Sequence, residues 1–244
     1  MFSLFKKKKS IKNTFEFLGT DMHSHLLPAV DDGSDSIETS SFLISELAEL
    51  GFNKLITTPH IYTDFYKNNR ETLEPAFQEL KSQIGKSIPD ISISYSAEYF
   101  LDTFFEEKLK NKELIPFGDK HILLEISFVG YSPILEQTVF DLVMQGYKPI
   151  LAHPERYTYL GKSFNTFRKL RELGCELQLN INSLGGYYGK ASEEIARQLM
   201  EEKLVSYLGT DMHNERHLDF LKKMARNSRL MKEIRAYEWQ NSEL

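Results

Sequence analysis

The pentapeptide Gly-Thr-Asp-Met-His occurs at residues 19–23 and again at residues 209–213, and the first copy runs on into Ser24 and His25. Side chains at i and i+2 of an extended strand point to the same side. His23 and His25 therefore form one pair, and Asp211 and His213 another, each where an apolar run stops. Imidazole and carboxylate are ordinary ligands of divalent transition metals. If the two strands become neighbours where a barrel closes, four such ligands converge.

The same pattern continues between the two copies. The expected strands end at His60 (Thr57-Thr58-Pro59-His60), Glu98 (Ser96-Ala97-Glu98-Tyr99), Glu125 (Leu123-Leu124-Glu125-Ile126) and His153 (Leu151-Ala152-His153-Pro154). A single histidine after a strand is ordinarily a loop residue, and a single glutamate there is ordinarily a helix N-terminal charge. Here six of seven expected strands end in such residues, and five of the seven histidines are among them. Parallel βα architectures place function at the carboxyl ends of strands, so all of these side chains would meet on one rim. The set exceeds what one tetrahedral zinc needs and suits two or three ions with bridging carboxylates.

Asp32, seven residues after His25, is expected to fold back to that rim as a further ligand. The segment Asp31-Asp32-Gly33-Ser34-Asp35 is not an EF-hand loop, because Ser36 stands where the turn glycine is required. Asp35 with Glu38 reads as the capping box of the first helix. Arg156 and Arg216 each lie three residues past a ligand candidate. Exposed arginines usually only solvate, but beside a metal rim their planar forks suit phosphate oxygens. His121 opens a strand and points to the opposite end, a structural position, and His217 reads as a surface residue of a helix start, with contact to substrate as the lesser alternative.

The elements that must position these residues alternate short apolar runs with helical-period segments, the signature of βα units around a parallel sheet. Strands are expected near 18–24, 53–58, 91–97, 121–126, 147–152, 175–181 and 204–210. Helices are expected from Asp35 to Gly51, along the stripe Leu73, Ala76, Phe77, Leu80 and Ile84, from Pro133 to Gly146, from Phe164 to Gly174 and from Ser192 to Lys203. Seven strands fall one short of the eight-stranded barrel. The expected organisation is a polar, Lys-rich lead-in over residues 1–18 and one barrel domain over 19–244, with a C-terminal helix.

Composition narrows the function. The chain has 244 residues, 41% of them hydrophobic, enough for one large core. It has no apolar run of about 18 residues, so no membrane span is expected. The opening Met1–Phe5 followed by Lys6–Lys9 has its charges after the apolar residues, unlike a secretory signal. The single cysteine, Cys175, suits a reducing cytoplasm. The formal charge of −5 argues against a general nucleic-acid binder, and three divalent ions would bring it to +1, which suits an anionic substrate. A cysteine-dependent phosphatase is excluded, since Cys175 follows Gly174 rather than His and Ile181 stands where that class has Arg.

With these residues assembled, the chain resembles the polymerase-and-histidinol-phosphatase (PHP) superfamily. Within it, the similarity is to the bacterial manganese-dependent protein-tyrosine phosphatases encoded with capsule and exopolysaccharide genes. The resemblance spans residues 19–235 and rests on Asp-Met-His-Ser-His-Leu-Leu-Pro, Asp-Asp-Gly, Thr-Pro-His, Ala-Glu-Tyr, Leu-Glu-Ile, Ala-His-Pro-Glu-Arg-Tyr and Asp-Met-His-Asn. It implies a distorted (β/α)7 barrel and three divalent ions, manganese or alternatively iron. By position, His23, His25, Glu98 and Asp211 would hold one ion, Glu98, Glu125 and His153 a second, and Asp32, His60 and His213 a third. Carboxylates at Asp32 and Glu125, where many superfamily members have histidine, make the site harder than one suited to zinc.

The implied reaction is in-line attack of metal-activated water on phosphorus, with Arg156 and Arg216 neutralising the phosphoryl oxygens. The implied partner is a phosphotyrosine protein, the C-terminal tail of a membrane-anchored bacterial tyrosine autokinase in polysaccharide export. The alternatives are a phosphoesterase acting on a small metabolite such as histidinol phosphate or on nucleic-acid ends, and a metal-stabilised binding module without turnover. The related amidohydrolases commonly carry a bridging lysine where Glu125 stands. Lys6–Lys9 read as a solvated tail, although each lysine would add at most about 1 kcal/mol of attraction to an anionic membrane.

Overall fold

The computed structural model describes residues 14–88, 90–161 and 163–244, so the basic run Lys6–Lys9 lies outside the described residues. Residues 14–18 do not belong to a solvated lead-in. Phe15 and Leu18 are fully buried, and the Phe15 ring stacks on Phe52 with centroids 5.7 Å apart. Their apolar side chains find the end of the first helix, where the Phe15 amide donates to the Leu50 carbonyl.

Nine short strands alternate with eight helices among the described residues: β1 (Thr20–Asp21), α1 (Ile37–Glu49), β2 (Lys54–Thr57), β3 (His60–Ile61), α2 (Arg70–Ser87), β4 (Ser92–Tyr95), β5 (Glu98–Phe100), α3 (Thr103–Asn111), β6 (His121–Glu125), α4 (Leu135–Met144), β7 (Lys148–Ala152), α5 (Asn165–Glu172), β8 (Glu176–Asn180), α6 (Lys190–Glu201), β9 (Tyr207–Gly209), α7 (Glu215–Ala225) and α8 (Ser228–Arg235). All seven expected strand regions carry a strand. Two of them stop and restart, which yields β3 and β5. The cause is Pro59, which has no N–H to donate to a ladder. Pairing shifts around it: the Ser96 amide donates to Thr57, and the Glu98 amide reaches the Thr58 and Pro59 carbonyls.

Every strand pairing is parallel, in the orders β1-β2-β4 and β3-β5-β6-β7-β8-β9. The pairings thus form two sheets. Their outer ends approach one another: the Asp211 amide donates to the His23 carbonyl and the His25 amide to the Met212 carbonyl, both at 2.8 Å. The buried Asp21 carboxylate adds two bonds, from the Thr210 amide (2.9 Å) and hydroxyl (2.6 Å). The repeated pentapeptides are therefore adjacent, but they are not equivalent. Asp21 ties backbone together, while its counterpart Asp211 faces the site described below.

Helix α1 begins one residue later than the sequence suggests. Ser36, not Asp35, is its N-cap and accepts from the Thr39 amide, while Asp35 accepts from the Thr39 hydroxyl. Serine and aspartate cap comparably, and the tie is broken by the extended backbone at Ser36. Helix α3 adds to those expected, the expected C-terminal helical region carries two helices, α7 and α8, and Asp102, Asn214 and Asn227 cap the three.

Strand alternation divides the apolar residues into two layers. Leu123 and Ile150 join Met22, Ile56, Phe117, Ala152, Tyr207 and Leu244 in an inner cluster. Ile122, Leu124 and Leu151, on the other strand face, pack with the helices. His121 stacks on Phe117 beside Tyr207, at the strand end away from Glu125, as its place in the sequence suggested.

Asn241 closes that lower end. Its fully buried amide accepts from the Leu208 N–H (3.0 Å) and donates to the carbonyls of Thr20 (3.0 Å) and Leu208 (2.7 Å). Asn241→Ala is expected to cost about 2–4 kcal/mol, because it strands buried backbone groups. Thermal unfolding checks this, and a midpoint moved by less than about 2 °C would contradict it.

Candidate metal centre

Three histidines are held so that one ring nitrogen is free. His23 Nδ1 donates to Gln178 Oε1 at 2.8 Å, since the Gln178 amide nitrogen is committed to the Leu179 carbonyl. His25 Nδ1 lies 2.7 Å from the buried Asp31 carboxylate, and His213 Nδ1 donates to the Asp211 carbonyl at 2.9 Å. With the proton on Nδ1, each ring presents an Nε2 lone pair, the arrangement that orients metal-binding imidazoles.

Two backbone features bring the ligands close. Gly33 permits the 31–34 turn to pack on His25, since a Cβ at residue 33 would lie 2.2 Å from the His25 carbonyl oxygen. Gly209 lets β9 approach the pocket floor, where a Cβ would meet the His23 Cβ at 2.7 Å. His153 and Asp211 themselves adopt left-handed backbone, with φ of 34° and 49°. Such conformations cost a non-glycine residue roughly 1–3 kcal/mol and concentrate at functional sites.

The donor atoms enclose a cation-sized space. His23 Nε2 and His25 Nε2 are 3.3 Å apart, each is 3.3 Å from Glu98 Oε2, and each is 3.4 Å from Asp211 Oδ1. Four donors placed tetrahedrally about 2.0–2.1 Å from a metal are separated by about 3.3–3.4 Å. Five of the six edges therefore have the lengths of a metal tetrahedron. Glu98 Oε2, at one corner of this tetrahedron, is buried and has no hydrogen-bond partner among the described residues. A buried carboxylate oxygen left in that state is costly unless a cation completes it.

Two further groups adjoin this one. Glu98 is shared with His153, whose Nε2 lies 2.9 Å from Glu98 Oε1 and 3.6 Å from Glu125 Oε1, and with His60, whose Nδ1 lies 3.2 Å from Glu98 Oε2. On the outer side, Asp32 Oδ1 is 3.5 Å from His60 Nε2 and 3.6 Å from His213 Nε2, close to His25. All nine sequence-derived ligand candidates thus fall in one contiguous cluster.

Burial, the largest influence on each of these groups, opposes charge. In Asp211 it is outweighed by His23 and His213, and in Glu98 by His23 and His60, so both carboxyls are held well below the ordinary range. In Glu125 burial and the neighbouring Glu98 act together and push the carboxyl well up. Burial drives His153 down to about 4, leaving a neutral imidazole. A neutral His153 imidazole and crowded carboxylates, one of them pushed toward its protonated form, are donors that a divalent cation satisfies.

Above the cluster opens a cavity of about 340 Å³. Asp32, His60, Glu98, Glu125, His153, Asp211 and His213 line its floor, and Tyr62, Tyr66, Phe128, Arg156, Tyr188, Asn214 and His217 form its walls. Arg156 Nη1 lies 3.2 Å from Asp211 Oδ2, and its guanidinium is sandwiched between the rings of Phe128 (4.5 Å) and Tyr188 (4.3 Å). Arg216 is exposed in the first turn of α7 and is not among the lining residues. His217 is not the surface residue the sequence suggested: it lines the cavity, with Nδ1 2.9 Å from the Asp211 carbonyl.

Sequence reasoning missed the supports. Asp31 reads in the sequence only as part of an acidic cluster, yet its carboxylate holds both His25 Nδ1 and the His60 amide. Gln178 and Asn180 come from β8, the strand of the one expected region, 175–181, that ends without a ligand candidate. Asn180 Nδ2 donates to Asp211 Oδ2 at 2.9 Å. The alternation Glu176-Leu177-Gln178-Leu179-Asn180 was the available signal.

Residues 19–233 match the family model described as Capsular polysaccharide synthesis, CpsB/CapC. The chain belongs to the CpsB/CapC family. It is 29% identical over 201 residues to the tyrosine-protein phosphatase YwqE of Bacillus subtilis, covering 82% of this chain and 79% of that one. It is also 29% identical over 200 residues to the tyrosine-protein phosphatase CpsB of Streptococcus pneumoniae, covering 80% and 82%. Among solved structures it is similar to one from a crystallographic study of YwqE and CpsB as unique metal-dependent tyrosine phosphatases. The TM-score there is 0.75 at 28% identity, with coverage of 87% of this chain and 90% of the other. No described helix of this CpsB/CapC protein is long and apolar enough to cross a membrane.

Proposed function

We propose that this CpsB/CapC protein is a metal-dependent phosphoric monoester hydrolase that removes phosphate from phosphotyrosine in proteins. The observation that carries this reading is the cation-sized tetrahedron of His23, His25, Glu98 and Asp211, open through Glu98 to a cavity where Arg156 stands. Three divalent ions, manganese or alternatively iron, complete the site. His23, His25, Glu98 and Asp211 hold the first, Glu98, Glu125 and His153 the second, and Asp32, His60 and His213 the third. Bound there, such cations acidify water and offset phosphoryl charge.

The chain's own groups do the rest. Arg156, fixed between two rings, offers a planar fork to the phosphoryl oxygens as their charge develops. Arg216, exposed in the first turn of α7 outside the cavity lining, is the second candidate cation for the phosphoryl group. A phenolate leaves with a conjugate-acid pKa near 10, so the site needs no strong general acid.

The fold reading that accompanies this is one distorted (β/α)7 barrel over residues 19–244. It is supported by the parallel pairings and by the bonds that link residues 23–25 to 211–212. As substrate we infer the tyrosine-rich tail of a membrane-anchored tyrosine autokinase of the capsule system, acted on in the cytoplasm. An extended tail can thread to a recessed metal rim that a folded surface cannot reach.

Elemental analysis after manganese or iron reconstitution is expected to find about three ions per chain, as nine ligands exceed a mononuclear site. Chelation should abolish activity, and manganese should restore it better than magnesium. One ion or fewer would refute the trinuclear centre. A phosphotyrosine peptide should be turned over faster than its phosphoserine counterpart and faster than histidinol phosphate, and the reverse order would refute the substrate.

A further inference from the structure

Aromatic rings stand over a floor of carboxylates and imidazoles, and most are engaged with neighbours. Tyr66 stacks on His60, Tyr62 on Phe100 at 4.0 Å, and Tyr188 on Arg156. Phe128 is the most exposed of these rings. Its ring rests against Tyr157 (5.5 Å), His153 (5.6 Å) and the Arg156 guanidinium (4.5 Å), yet it remains 41% exposed. The backbone on either side of it is held, because Ser127 accepts from the Tyr159 hydroxyl through its carbonyl (2.9 Å) and from the Val129 amide through its Oγ (3.2 Å). A phenyl group fixed at a charged cavity and left partly open is a preformed apolar face, which neither metal binding nor phosphate binding requires.

We propose that Phe128 is a specificity-determining residue whose exposed ring surface packs against the ring of a phosphorylated phenol and so selects aryl over alkyl phosphomonoesters. The inference rests on the phosphatase reading above and adds the source of its leaving-group preference. In an aryl phosphate a single oxygen joins phosphorus to the ring. A phosphoryl group gripped by Arg156 therefore carries that ring within reach of Phe128. A phosphoserine places a flexible methylene there instead, with no π face to meet. Offset aromatic pairs contribute a factor of roughly 3–10 in affinity beyond simple burial.

Binding by the metal-loaded protein separates this from a packing role. Calorimetry on the wild type is expected to show phenylphosphonate bound more tightly than methylphosphonate. Phe128→Leu, which keeps an apolar side chain on Tyr157 and His153, should shrink that ratio roughly 3- to 10-fold. Any loss of affinity for inorganic phosphate should be smaller than the loss for phenylphosphonate, and Phe128→Tyr, which keeps a ring, should retain the wild-type ratio. The kcat/KM ratio of phenyl phosphate to ethyl phosphate should move with the binding ratio. An unchanged ratio in Phe128→Leu overturns the inference. So does a loss shared equally by both phosphonates and inorganic phosphate, which would mean that Phe128 merely positions Arg156. A wild type that turns over neither ester would instead refute the phosphatase reading itself.

Discussion

Glu98→Gln is expected to lower turnover by on the order of 10³-fold or more and to reduce bound metal by more than one ion. No other carboxylate touches as many ligands. One Glu98 oxygen lies 3.2–3.3 Å from ring nitrogens of His23, His25 and His60, and the other lies 2.9 Å from His153. An amide keeps the size of the side chain but removes the charge that can bridge two cations. The loss should therefore appear in metal content as well as in rate. Metal binding stabilises a folded chain by mass action, so added manganese should raise the melting temperature of the variant less than that of the wild type. Wild-type turnover with full metal content in Glu98→Gln would remove Glu98 from the centre.

Arg156→Ala is expected to lower kcat by roughly 10²-fold or more while metal content stays intact. The two variants thus separate ligand loss from loss of charge stabilisation. Arg156 reaches the cavity but contacts only the outer oxygen of Asp211, Oδ2, leaving Oδ1 to the histidines. Arg156→Lys should recover little, since a point charge replaces a planar fork stacked on both sides by Phe128 and Tyr188. Arg216→Ala should cost less than Arg156→Ala, because Arg216 is exposed on α7 and does not line the cavity. Steady-state kinetics beside metal analysis decide the matter. An Arg156→Ala enzyme with wild-type kcat, or an Arg216→Ala enzyme that is the more impaired, would reassign the phosphate-binding role.

Much of this centre was legible in the chain because β structure converts sequence spacing into direction. A period of two places His23 with His25, and apolar runs that end in His, Glu or Asp mark strand ends on one rim. The type and order of most elements followed from the same periodicity. What the sequence could not show depends on contacts between residues distant along the chain. Asp31 holds His25 only because Gly33 lets the turn close on it, and Gln178 reaches His23 across 155 positions. The unequal duties of Asp21 and Asp211, identical in local sequence, arise because the first copy of the repeat faces Thr210 and the second faces the histidines. The split of two strands at Pro59 and the burial of Phe15 likewise required the neighbouring strand and helix to be in place. The sequence alone determined which side chains could bind metal and at which end of the strands they stand. Tertiary structure alone decided the 3.3–3.4 Å spacing that encloses a cation and the place of His217 in the cavity wall. The reason is physical: local spacing sets the direction of a side chain, whereas distances between strands are set by packing.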